Sequence, residues 1–97
     1  MRYLTIDGML SGTGIKDSLA GEYLDPRVIG LSPELVQRIE NWVIEYETAH
    51  YHQFNDETEN QRLDQEGIEI ARQTRGQLTE SKVEYFSHAR MQKIAFK

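Results

Sequence analysis

Glu47-Thr48-Ala49-His50 is the stretch whose spacing comes nearest to a metal-binding motif. Glu-x-x-His places a carboxylate and an imidazole on one face of a helix, as in di-iron helical bundles. A complete centre needs a second such motif and two further carboxylates, and one copy of the chain supplies neither. Together with His52, the pair could hold a metal only if a dimer completed the coordination. Otherwise His50 and His52 are polar residues near a helix C-terminus, where a cation is favoured. No metal or other cofactor is expected.

Other chemistries fail on spacing. Gly12-Thr13-Gly14 is followed by Ile15-Lys16-Asp17, so the third glycine of GxGxxG is missing and no lysine follows Gly14 as a phosphate loop requires. The chain has no cysteine, and Ser11, Ser18, Ser32, Ser81 and Ser87 stand in no nucleophile elbow. Trp42 with Tyr23, Tyr46, Tyr51 and Tyr85 could be read as a base-stacking platform. Trp42 and Tyr46, however, share a helical stripe with Leu35 and Ile39, which places them in a core. No catalytic residue is assigned and the chain is not expected to be an enzyme. A small metal-dependent enzyme built across a dimer at Glu47 and His50 is the weakest of the readings.

Carboxylates are the abundant functional group. From Glu40 to Glu66 there are eight acids against Arg62 alone, whereas from Arg72 to Lys97 six cations face Glu80 and Glu84. The net charge is −5. Such a field repels nucleic acid and attracts a basic partner, speeding encounter more than it strengthens the final contact. The candidate partner-binding group is Glu45, Tyr51, Asp56, Glu57, Glu59 and Asp64, with Tyr51 included because tyrosine is enriched at interfaces.

The elements that must position these groups follow from periodicity. Leu35, Ile39, Trp42, Val43, Tyr46 and Ala49 or His50 recur at helical spacing, giving a helix over about 32–54. Ser32 is its N-cap, Pro33 lacks the N–H that would be orphaned at N1, and Leu31 and Val36 form a hydrophobic staple. After the polar run Asn55–Asn60, with Asp56 or Thr58 as cap, a second helix spans about 58–78 on Leu63, Gly67, Ile70, Ala71, Thr74 and Leu78. Gly67 on the inward stripe predicts close approach to the neighbouring helix.

Residues 3–6 and 82–86 have strand composition, with 94–96 or the Met9-Leu10 region as a third strand. Ile15 to Ala20 is expected to form a helical turn or two. The long interval Gly8–Gly30 packs locally or carries recognition residues. Two strands alone would be marginal, so the consistent solution is α+β: an antiparallel helix pair packed on a small two- to three-stranded sheet. The 97 residues make a single domain, 1–97. No apolar run reaches the roughly 20 residues that span a bilayer, and Met1–Asp7 lacks a signal-peptide core, so a cytoplasmic location without membrane contact is expected.

Three segments together carry a resemblance. Leu35-x-x-Arg38-Ile39-x-x-Trp42-x-x-x-Tyr46-Glu47, then Leu63-Asp64-x-Glu66-Gly67-x-x-x-Ala71, then Val83-Glu84-Tyr85-Phe86 resemble small bacterial proteins of the immunity type encoded beside polymorphic or contact-dependent growth-inhibition toxins. The resemblance covers about 31–86 and implies a cognate toxin domain as partner, commonly a nuclease with a basic groove. It transfers no contact residue. A non-toxin adaptor or homodimeric regulatory module, using the exposed side of the helix pair as a twofold interface, is the alternative reading.

Overall fold

The structure, a computed structural model, describes residues 1–97. Its elements are β1 (Arg2–Asp7), β2 (Ile15–Asp17), α1 (Pro33–Tyr51), α2 (Glu57–Gln77), β3 (Ser81–Ser87) and β4 (Gln92–Ile94). The fold is α+β, two helices on a four-stranded mixed sheet of order β2-β1-β3-β4. The central strands β1 and β3 run parallel, with Leu4 opposite Val83 and Ile6 opposite Tyr85, and both edge strands are antiparallel.

Alternation along the strands decides what faces the helices. Leu4, Ile6, Ile15 and Tyr85 are at most 1% exposed and meet Leu35, Ile39, Trp42 and Tyr46 from α1 and Leu63, Ile70 and Ala71 from α2 in one cluster of fourteen buried residues. The three large rings are fixed by polar bonds as well as by contact. Trp42 Nε1 donates to the Leu63 carbonyl at 2.9 Å, Tyr46 Oη accepts from the amides of His88 and Ala89, and the Tyr85 hydroxyl donates to Asp64. Buried donors so paired avoid a desolvation cost of about 1–3 kcal/mol each.

Helix ends follow the expected chemistry at the start and depart from it at the stop. Ser32 Oγ accepts from the Leu35 amide, and Leu31 and Val36 are both buried as a staple requires. Asp56, rather than Thr58, caps α2 by accepting from the Glu59 amide. Helix α1 ends at Tyr51, three residues short of the expected limit, because Gln53 and Phe54 both take φ of 54°. Two successive left-handed residues reverse the chain and end the helical bonding.

Ile15–Ala20 is not helical, contrary to expectation. Ile15, Lys16 and Asp17 pair with Ile6, Thr5 and Leu4 as an edge strand, and Asp17 Oδ1 then turns the chain by accepting from the amides of Leu19 and Ala20. Gly14, at φ 95°, makes the entry: a Cβ there would stand 2.7 Å from Ile39 Cγ2 and 2.9 Å from Val43 Cγ2. The fourth strand lies at Gln92–Ile94, earlier than 94–96, and Phe96 leaves the sheet to sit beneath Arg75. Met9-Leu10 is not a strand.

Candidate functional site

The acidic segment is organised around the reversal between α1 and α2. Phe54, held by its amide on the Ala49 carbonyl, turns its ring edge-on to Tyr46 and His50, and its own carbonyl accepts from Asn60 Nδ2 at 2.9 Å. The tip is thereby built from both helices. Glu45, Asp56 and Glu59 line one depression there, together with His52, Asn55 and Asn60, of about 280 Å³.

The protein's own arginines already meet much of this charge. Arg62 donates to Glu59 through both Nε and the guanidinium end, and to Glu45 at 3.0 Å. The Arg62 bond holds the Glu59 carboxyl below the usual range, and Glu59 in turn raises Arg62. On the other side of α2, Arg90 spans Glu57 at 2.6 Å and Asp64 at 3.2 Å. Four of the six candidate contact residues are thus engaged by two guanidinium groups. Asp56 remains at the helix N-terminus as a cap, and Tyr51 is 70% exposed at the end of α1.

Asp64 requires a correction. It was counted with the surface acids, but it is 5% exposed and lies under Arg90 with Oδ1 bound to the Tyr85 hydroxyl at 2.6 Å. Burial, with the neighbouring Tyr46 and Asp64, pushes the Tyr85 phenol far up, so it keeps its proton and donates. Asp64 anchors helix to sheet through Tyr85 and Arg90 rather than standing on the acidic surface.

The metal-type spacing does not produce a metal-type geometry. His50 Nε2 lies 2.7 Å from the Gly8 carbonyl, Glu47 is exposed, and no three side chains among His, Asp and Glu converge as ligands.

A buried polar centre that the sequence did not announce lies where β1 ends. Asp7, 1% exposed, accepts from the Tyr23 hydroxyl at 2.7 Å and the Met9 amide, with Lys16 Nζ 3.5 Å away and His88 Nε2 3.8 Å away. These residues come from four separate stretches, so no linear spacing joins them. The only signal was an acid at the end of a strand that carries Leu4 and Ile6. Burial disfavours the charged carboxyl, but His88 and the Tyr23 and Met9 donors outweigh it and hold Asp7 below the usual range. A depressed folded-state value means that Asp7 adds stability above its unfolded value of about 3.9, and that this is lost as pH falls through the folded value. In urea titrations the gap between wild type and Asp7→Asn should therefore be open at neutral pH and close below about pH 4. A gap of constant size down to pH 3 would show that the charge is not the stabilising feature.

A family model described as Serratia CdiI immunity protein-like matches residues 12–88. The chain belongs to this family. The match runs from within the loop before β2 through both helices and β3, so the α1–α2 tip lies inside the CdiI-like region. No curated protein and no solved structure matches the chain. Membership of a CdiI immunity family implies a cognate toxin partner and suggests a non-enzymatic role. No helix of this CdiI-like chain is long and apolar enough to cross a membrane.

Proposed function

We propose that the chain neutralises a cognate toxin domain in the cytoplasm by stoichiometric contact, and that the toxin is a nuclease with a basic substrate groove. The observation that carries the reading is the family match across 12–88. The charge pattern supports the partner's sign. Glu45, Asp56, Glu57 and Glu59 outnumber Arg62 and Arg90, so the tip keeps an acidic excess even with those pairs formed, with Tyr51 beside it. A cationic groove that binds phosphate also attracts carboxylates. Charge pairs that become desolvated there can couple by roughly 1.5–7 kcal/mol, while rim pairs act on association rate.

Co-expression with the product of the neighbouring toxin reading frame, followed by co-purification and a growth test, examines the reading directly. Recovery of a one-to-one complex and restored growth are expected. Free toxin in the flow-through and continued killing would reject it. The tip is tested by Asp56→Lys, Glu57→Lys and Glu59→Lys combined. Association should slow several-fold and lose most of its dependence on salt. If rate and salt dependence both match wild type, capture occurs elsewhere on the molecule.

A further inference from the structure

The acidic tip can steer a partner but has little with which to hold one. Its carboxylates are partly satisfied by Arg62 and Arg90, and the depression between them is lined mostly by polar side chains. Tight protein interfaces are held by apolar or aromatic anchors in pockets that exclude water, with charge at the rim. The surface next to the tip supplies that missing part.

Along the outer side of α1, Gln37, Asn41, Ile44, Thr48 and Tyr51 follow one another at helical spacing. Ile44 is 65% exposed and Tyr51 70% exposed, two turns apart on a stripe otherwise polar. Beside Ile44 a groove of about 620 Å³ separates this helix face from the Tyr23–Arg27 segment, with Val43, Leu24 and Pro26 among its walls. The far wall is fixed in place. Thr13 Oγ1 donates to the Leu24 and Ile15 carbonyls, the Leu24 amide donates to the Ile15 carbonyl, and Tyr23 is tied to Asp7. A groove between two such walls exists before any partner arrives, and ordering it adds no cost on binding.

Its charge selects the occupant. Asp25 and Glu40 stand at the groove, Glu47 is exposed further along the same helix, and the one cation present, Arg27, is held by Asp25 at 3.2 Å with Glu40 at 4.0 Å. Nucleic acid would be repelled, and an acidic protein too. Resting on the function proposed above, we infer that this groove and Ile44 form the anchoring half of the toxin interface. They take an apolar side chain of the toxin domain flanked by lysine or arginine, while the α1–α2 tip guides the approach. The long interval before α1 thereby acquires a role as the groove's outer wall.

The two halves leave different kinetic marks. Ile44→Asp removes the anchor and adds a negative charge, so a purely electrostatic surface would capture a basic toxin faster and hold it at least as well. The anchoring role gives the opposite outcome for retention. With the purified toxin domain encoded beside this chain as the probe, the dissociation rate of Ile44→Asp should rise at least about tenfold with association no slower, and Tyr51→Ala should raise it less. Because Ile44 is exposed, thermal midpoints should stay near wild type, which keeps folding separate from binding. If Ile44→Asp and Ile44→Ser release the toxin at the wild-type rate while charge reversal at the tip still slows capture, the groove is overturned and the immunity function stands. If the isolated chain is dimeric, and Ile44→Asp makes it monomeric without altering toxin release, the groove is a self-association surface and the inference fails. Absence of any complex with the wild-type chain removes both the function and its anchor.

Discussion

Gly67→Leu is expected to lower stability by about 3 kcal/mol or more, a drop in thermal midpoint on the order of 15 °C for a chain this small. Gly67 faces inward from the middle of α2, where a Cβ would stand 2.7 Å from Tyr85 Cζ and 2.8 Å from Trp42 Cζ2, with another Tyr85 ring carbon nearer still. Neither ring can yield. Trp42 is bonded to the Leu63 carbonyl and Tyr85 to Asp64, and both are fully buried. Against the clash stands a gain in helix propensity of only about 1 kcal/mol on replacing glycine. A control lies on the same helix: at Gly76 nothing comes within 4 Å of an added Cβ. Gly76→Ala should therefore raise stability by up to about 1 kcal/mol, while Gly67→Ala lowers it. Equal effects at the two positions in calorimetric or urea unfolding would remove the close-approach account.

Asp64→Ala should cost on the order of 3 kcal/mol without weakening toxin capture by the molecules that remain folded. Two losses combine. The Tyr85 hydroxyl, buried and proton-bearing, is left without an acceptor, for about 1–3 kcal/mol, and Arg90 loses the inner of its two carboxylates. Asp64→Asn restores an acceptor to Tyr85 and should recover part of the loss. Measured well below the melting transition, binding of both variants to the toxin domain should match wild type. A variant of undiminished stability that fails to bind would return Asp64 to the interface.

Much of the architecture was legible in the residues. The stripe from Leu35 to Ala49, the cap and staple at Ser32, and the inward glycine of α2 follow from spacing and local chemistry, which act over a few residues. The parts that escaped depend on partners far along the chain. Ile15-Lys16-Asp17 is too short to show a period, and it is a strand because Gly14 and Ile6 bring an edge to it. The Asp7 centre draws Tyr23 and His88 from opposite ends of the sequence.

Asp64 was misplaced for a different reason. It lies three residues before Gly67 and seven before Ala71, on the buried stripe itself, and a count of charges outweighed the period. The candidate contact group shows the same limit: a tally of acids in a segment does not reveal that Arg62 and Arg90 fold back over four of them. Ile44 could have been noticed as the one aliphatic residue off the stripe between Glu40 and Glu47.

The parallel pairing at the sheet's centre has a consequence for timing. Arg2 pairs with Ser81 and Asp7 with Phe86, so β1 waits until both helices have been made before its principal neighbour emerges. Until then its one strand partner is the three-residue β2, a hairpin too small to persist in water by itself. Ribosomes add roughly 5–20 residues per second, and distant strand pairing closes slowly once both strands have emerged. The central sheet of this immunity-family chain is therefore completed only after β3 has emerged and closed on β1.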